Sequence, residues 1–427
     1  MAAQTADTIV ALSSGAPPAA IGIIRLSGPG AFTAGEVIAG PLPPPREAAL
    51  RALWGDDGAL LDRALVLTFA APATATGEDL VELHCHGGRA VIAAVEATLL
   101  RQPGVRRAEP GEFTRRALMA GRIDLAQAEG LGDLLMAETE AQRRAALAST
   151  EGAVGRAVAG WTARLVMLAA QVEAALDFSD EDDVAVDVSG TTAQIATLAD
   201  DMVRVLDNPP VERLRDGTRV VLAGAPNTGK STLLNALVER EAAIVSPISG
   251  TTRDRIEAPV IRDGIAYVFT DTAGLLDASD DPIEAIGIGR AREAIDAADI
   301  VLWLDDAPPP PGALAIHARA DAPGRGAIGG ERLAVSAVTG EGMAALWGAL
   351  ADRAAALLPN LDRPVLNRRQ RDLCAAAQRE LAAASADDPL IVAEHLRRAR
   401  AALDRVTGRA GVEAMLDALF SRFCIGK

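Results

Sequence analysis

Lysine is nearly missing from this chain of 427 residues: of its 42 basic residues, 40 are arginine, and only Lys230 and Lys427 are lysine. Arginine stands almost everywhere a cation serves, so the two exceptions invite a chemical reason. A guanidinium is a planar fork and an ammonium a compact point charge on a flexible stem, so a tight site keeps lysine. For Lys427, chance survival stays an open alternative. Cysteine is scarce as well: Cys85, Cys374 and Cys424 are odd in number and far apart, which fits a reducing cytoplasm better than a disulfide framework. Nowhere do about 18 apolar residues run together, and the opening MAAQTADTIVALSS has no basic stretch followed by an apolar run. The expectation is a soluble cytoplasmic chain with no membrane partner. Internal repeats are absent, and so are long low-complexity tracts, apart from proline clusters at Pro43–Pro45 and Pro308–Pro311. A formal net charge of -16 argues against a simple electrostatic grip on nucleic acid. Contact with RNA would need a local patch or a basic partner.

What is present is enough apolar material, 49% of residues, for sizeable cores. The length predicts two or three domains. From Asp7 to about Arg107, short apolar runs (IGIIRL, ALVLTF, DLVELHCH) alternate with turns and one helical stretch, AVIAAVEATLL, which reads as an α+β domain. From Leu125 to Leu206 the spacing is helical, broken by an acidic run, SDEDD at Ser179–Asp183, most simply a solvated loop. Strands RVVLAGA, AYVFTDTAG and DIVLWLDD then alternate with helices, as in a doubly wound parallel sheet. Helical periodicity returns from Asn367 to Phe423. The reading is a multidomain protein: an α+β domain over 1–120, an all-α helical domain from 121–212 and 359–427, and an α/β nucleotide domain over 213–358 inserted between the helical parts.

Gly224, Gly229, Lys230 and Ser231 fit G-x-x-x-x-G-K-[ST] between an apolar strand and the helix-forming STLLNALVER. The glycines let backbone N–H groups turn around phosphate oxygens, and the helix N-terminus adds a favourable dipole. Strand, loop and helix in order favour this over a plain glycine turn. Lys230 would reach the β- and γ-phosphates and Ser231 would ligand Mg2+, with Asn227, Thr228, Gly229 and Thr232 completing the cradle. Asp271, Thr272, Ala273 and Gly274 have the Asp and Gly that sense metal and γ-phosphate in such proteins. Gly250-Thr-Thr-Arg-Asp254 offers Thr251 and Thr252, of which a threonine can complete the metal shell. Ser336 and Ala337 precede TGEG, as in a loop that lines a guanine pocket. Leu275 stands where a Ras-like GTPase has its water-orienting glutamine. Glu284 is either that acid, reaching in from downstream, or a solvated carboxylate. N-K-x-D is replaced by Ala318-Arg319-Ala320-Asp321, which keeps the aspartate for guanine N1 and N2 and loses the asparagine amide.

With these motifs, and with DTIVAL, GIIRLSGP, GEDLVELHCHGG, PGEFTRRAL, DLAQAE, IEAIGIGRA and the terminal CIGK, the chain resembles the MnmE (TrmE) family of tRNA-modification GTPases nearly end to end. The resemblance implies a homodimer that binds GTP and acts with the flavin protein MnmG on the wobble uridine of tRNA. It adds an aminomethyl or carboxymethylaminomethyl group, with a tetrahydrofolate derivative, 5-formyl or 5,10-methylene, as one-carbon donor. The implied folate contacts are Arg25, Glu82, Arg122 and Lys427, with Arg122 where the family has lysine. Cys424 is implied in modification, although beside Phe423 and Ile425 it reads equally as a buried core thiol. The family uses K+ in place of an arginine finger, which implies Asn227, Ser246, Ile248 and Thr251 as K+ ligands, Ser231 and Thr252 as Mg2+ ligands, and Glu284 and Lys230 as catalytic groups. A switch GTPase acting in ribosome assembly without folate chemistry is the alternative. His84 and His86 alternate along a strand and face one side, but with no further ligand in sequence a packing role is the simpler reading.

Overall fold

The structure, a computed structural model, describes residues 7–177, 188–239, 257–272, 292–323, 325, 332–384, 388–410, 420, 423 and 426. The chain divides into two compact units, Met1–Gly132 with Ala401–Lys427, and Asp133–Arg400.

In the first unit, six strands form one sheet: β1 (Thr8–Leu12), β2 (Ile21–Ser27), β3 (Ala48–Trp54), β4 (Leu60–Phe69), β5 (Leu80–His86) and β6 (Val105–Arg107). Their spatial order is β3-β4-β5-β2-β1-β6. Alternation in β2 and β5 turns Ile24, Leu26, Val81, Leu83 and Cys85 to one face, where they pack with helices α1 (Ala31–Ala39) and α2 (Arg89–Leu100). The same alternation leaves Arg25 and Glu82 opposite each other in register on the other face. Helix α3 (Glu112–Met119) covers that face, with Phe113 buried against Ile9 and Ala11. Sequence periodicity found α2 but not α1. Gly35 in the middle of α1 costs about 1 kcal/mol of helix propensity, and an added Cβ there would lie 3.3 Å from Val81 Cγ1.

An ion network fastens α3. Arg116, 5% exposed, donates to Glu112 and Asp7 at 2.9 Å and to both Glu78 carboxylate oxygens at 3.1 Å. Arg106 donates to Glu112 at 2.8 Å and also to Asp7. Burial alone would raise the carboxyl of Glu112, but Arg106, the Glu109 N–H and Arg116 together hold it below its ordinary value. Asp7 is held down in the same way by Arg106 and Arg116. From the chain's other end, Phe420 is buried against Leu125 and Ala128. Gly426, at φ +96, is seated on β1, where an added Cβ would lie 2.1 Å from the Leu12 carbonyl oxygen.

The second unit begins with helices α5 (Glu140–Thr150), α6 (Ala153–Asp177) and α7 (Val188–Leu206); α4 (Leu125–Leu135) precedes them. Thr139 and Gln142 form a capping box that starts α5. The chain then passes a single turn, α8 (Glu212–Arg215), into a second six-stranded sheet: β7 (Thr218–Ala223), β8 (Glu257–Arg262), β9 (Ile265–Asp271), β10 (Ile300–Trp303), β11 (Leu314–Ala318) and β12 (Leu333–Val335). The spatial order is β12-β11-β10-β7-β9-β8, parallel except for β8, a strand the periodicity did not mark, which runs antiparallel to β9 at the edge. Helices α9 (Lys230–Glu239) and α10 (Met343–Leu357) pack on it through Leu233, Leu237, Leu346 and Trp347, the last against the rings of Tyr267 and Phe269. Helices α11 (Arg368–Ala383) and α12 (Pro389–Thr407) follow, and α11 packs on α7. The segments entering and leaving the sheet run side by side. The Asn208 amide donates to the Asn360 carbonyl at 3.1 Å and its oxygen accepts the Asn360 N–H at 2.8 Å.

Among the described residues no helix is long and apolar enough to cross a membrane.

Candidate functional site

The strand order of the second sheet reverses at β7, and a ligand crevice in such sheets lies beyond the strand C-termini at that point. Of the described residues read from the sequence as a nucleotide site, 227–232 follow β7, while Asp271 ends β9 and Thr272 follows it, beside that point. Gly224 leaves β7 at φ +148 and Gly229 enters α9 at φ +97. Both conformations are accessible to glycine and costly for other residues. Between them Asn227, exposed, takes φ +65. The Lys230 side chain, 3% exposed, curls back into the loop, and its Nζ donates to the carbonyls of Gly224 at 3.0 Å and Ala225 at 2.8 Å. Thr228 donates its hydroxyl to the same Ala225 carbonyl at 2.9 Å. Thr232 lies exposed in the first turn of α9.

Across the crevice, the end of β9 meets the start of α9. Ser231 Oγ donates to Asp271 Oδ2 at 2.6 Å, and Asp271 is 4% exposed. Two hard oxygens from different elements thus face one point beside the loop, a donor set suited to Mg2+. Thr272 is tied back to β7, both its N–H and its hydroxyl donating to the Leu222 carbonyl.

The segments read from the sequence as base-recognising, which carry Asp321, Ser336 and Ala337, connect to this loop on a third side. Arg319, at φ +57, donates Nη1 to the Asn227 carbonyl at 3.3 Å, and its stem lies over Gly229. Asp321 is exposed in the turn that follows. The Ala320 N–H donates to the Val335 carbonyl at 3.2 Å, joining this segment to β12. There Ser336, fully buried, accepts the Thr339 N–H on its hydroxyl at 3.0 Å and fixes the turn that carries Ala337. The arginine in the lysine position of N-K-x-D therefore still clamps the phosphate loop, while Ala318 is buried in the sheet and supplies no amide.

In the first unit, Arg25 donates Nε and Nη2 to Glu82 Oε1 at 3.0 and 2.8 Å and lies 5.7 Å from the Phe113 ring. Glu82 is also bonded to His84 at 3.2 Å. Burial would raise its carboxyl, but His84 and Arg25 outweigh that and hold it below its ordinary value. Arg122 donates Nε to the Thr74 carbonyl at 3.1 Å. Ala11 pairs with Arg25 in register, and Leu12, on which Gly426 is seated, is its neighbour. His86 bonds Asp62 at 2.7 Å, so the two histidines hold separate carboxylates, and no group of three or more His, Cys, Asp or Glu that could hold a metal occurs among the described residues. Cys85 and Cys374 are free and buried, and burial pushes each thiol up to about 12.

Ser246, Ile248, Thr251, Thr252, Ala273, Gly274, Leu275, Glu284, Cys424 and Lys427, and the acidic run at Glu181–Asp183, lie outside the described residues. Two groups escaped the sequence reading. The Arg106–Arg116 network joins residues about a hundred positions apart, so no local signal marks it; Asp305, beside the phosphate loop, belongs to no motif.

A family model described as MnmE helical domain matches residues 125–424, and one described as GTP-binding protein TrmE N-terminus matches residues 8–122. A tRNA modification GTPase MnmE of Erythrobacter litoralis (strain HTCC2594) is 58% identical over 423 residues, 99% of this chain and 100% of its own length. Another of that name, of Zymomonas mobilis subsp. mobilis (strain ATCC 31821 / ZM4 / CP4), is 51% identical over 98% of this chain and 100% of its own. Among solved structures, the G domain of the T. maritima FeoB iron transporter is similar over 32% of this chain and 98% of its own at 23% identity, with a TM-score of 0.24, too low to bear on function.

Proposed function

Because the chain belongs to the family of tRNA modification GTPases named MnmE, we propose that its hydrolysis of GTP serves a tetrahydrofolate-dependent aminomethylation or carboxymethylaminomethylation of the wobble uridine of tRNA, carried out as a cytoplasmic homodimer with the flavin protein MnmG. The observation that carries the hydrolytic half is the convergence of Lys230, Ser231 and Asp271 at the switch point of the second sheet. Lys230 neutralises charge at the β- and γ-phosphates. Ser231 and Thr252 would hold Mg2+, and Asp271, which accepts the Ser231 hydroxyl, orients it. Water attacks the γ-phosphorus and the bond to the β–γ bridging oxygen breaks, with Glu284 orienting the water. Asn227, Ser246, Ile248 and Thr251 would hold K+, which would supply the positive charge that an arginine finger gives elsewhere. The left-handed backbone of Asn227, clamped by Arg319, fits that role, since it leaves the side chain exposed at the rim of the loop.

The folate half rests on the Arg25–Glu82 pair beside Phe113. A guanidinium, a carboxylate held ionised and an aromatic face suit a flat, hydrogen-bonding heterocycle with a carboxylate tail. Arg122 and Lys427 are further contacts in this reading, and the seat of Gly426 on β1 brings the tail to the strand beside Arg25. Cys424 would take part in modification. Titration of the full chain with 5-formyltetrahydrofolate is expected to saturate, and Arg25→Ala to weaken it at least about tenfold, the loss of one charge-assisted contact. A flat titration of the unaltered chain would restore the alternative, a switch GTPase acting in ribosome assembly.

A further inference from the structure

The phosphate loop has one anchor that neither its motif nor the GTPase reading assigns. Asp305 follows β10, whose last paired residue, Trp303, lies beside Ala223 at the end of β7. One oxygen of Asp305, Oδ2, accepts the N–H of Ala225 at 3.0 Å; the other, Oδ1, accepts the N–H of Ala307 at 3.0 Å. Those N–H groups, that of Ala307 first, hold its carboxyl below the ordinary carboxylate range, so it is an anion at neutral pH. Its own backbone is fixed in turn, because Arg332 donates to the carbonyls of Asp305 at 2.6 Å, Asp306 at 3.1 Å and Ala307 at 2.8 Å.

Ala225 is the first residue after Gly224, and its peptide groups are committed at both ends. Its N–H is turned outward to Asp305, and its carbonyl accepts Lys230 Nζ and the Thr228 hydroxyl. A loop that cradles phosphate must aim some N–H groups inward and keep others out, and an isolated glycine-rich loop has no local reason to choose. We infer that Asp305 makes that choice: it is a positioning residue of the nucleotide site, acting through the Ala225 amide to preset the loop and the carbonyl on which Lys230 rests. The inference depends on the nucleotide-binding reading of this loop. Asp305 touches the loop's backbone alone, so its contribution falls on nucleotide capture. Once nucleotide and metal order the loop, turnover is largely independent of it.

Asp305→Ala and Asp305→Asn, made in the full chain, separate this role from others. In Asp305→Ala the dissociation constant for GDP and the KM for GTP should rise roughly tenfold to a hundredfold, the loss of one charge-assisted hydrogen bond, with kcat within about threefold of the unaltered chain. Asp305→Asn keeps one oxygen that can accept the Ala225 N–H while its NH2 faces the Ala307 N–H, so it should recover part of the loss and fall between Asp305→Ala and the unaltered chain in both constants. Constants unchanged in Asp305→Ala would overturn the inference. So would equal losses in both variants, which would make the charge the operative feature, or a fall in kcat at constant KM. The unaltered chain run alongside distinguishes the levels: if it binds no guanine nucleotide, the GTPase reading falls and this inference with it; if it binds and Asp305→Ala matches it, this inference alone falls.

Discussion

Replacing Lys230 by alanine should weaken guanine-nucleotide binding by at least about a hundredfold, since in the proposed role it removes a charged donor to two phosphates at about 1.5–3 kcal/mol each. Lys230→Arg should lose nearly as much. Nζ lies between two carbonyls 3.0 and 2.8 Å away inside a loop that Gly224 and Gly229 turn back on itself. A planar guanidinium with its donors spread over a fork does not fit that bite. In a chain with 40 arginines, a lysine kept here is the compositional trace of the constraint. Fluorescent GDP titration of both variants reads the effect, and a far-UV spectrum shows that the sheet persists. Full binding by Lys230→Arg would contradict the tight-site argument, and full binding by Lys230→Ala would contradict the site.

The second large effect lies in the other unit. Arg116→Ala removes a guanidinium that is 5% exposed and leaves Glu112, Glu78 and Asp7 with less compensation. Breaking a buried ion pair from one side costs about 3–5 kcal/mol. For a unit of this size that lowers the midpoint of its calorimetric transition by roughly 6–20 °C. The pH dependence follows from the depressed carboxyls of Glu112 and Asp7. A carboxylate whose folded value lies below its unfolded one adds stability above the unfolded value and loses it as pH falls through the folded one. The difference between the unaltered chain and Arg116→Ala should therefore be full at pH 7 and shrink below about pH 4. A shift under about 2 °C, or a gap that does not shrink in acid, would show that the network is not what holds α3.

These two predictions also show how far the sequence could be read. The phosphate loop was legible because its chemistry is local: glycines, lysine and serine within nine residues, preceded by an apolar strand. Asp271, Ser336 and Ala337 were legible by their order behind it. The alternation around Arg25 and Glu82 exposed strands, although only the register of β2 on β5 brings the two side chains into contact. Helix α1 was hidden by Gly35, beside which Val81 of another element packs closely. Arg116, Glu78 and Asp7 meet because three separate segments converge, and Asp305 reaches Ala225 across 80 positions. Such contacts have no periodicity and no motif. The exchange of lysine for Arg319 looked like a loss in sequence, yet its guanidinium still reaches the Asn227 carbonyl. The loss that remains is the amide replaced by Ala318.

That replacement bears on the nucleotide, and hydrolysis measured with GTP, ATP and XTP, each in K+ and in Na+, tests the whole account at once. The account predicts turnover of GTP well above that of ATP, because Asp321 selects the N1 and N2 protons of guanine, and a rate that depends on K+. Equal rates for GTP and ATP in both salts would contradict it.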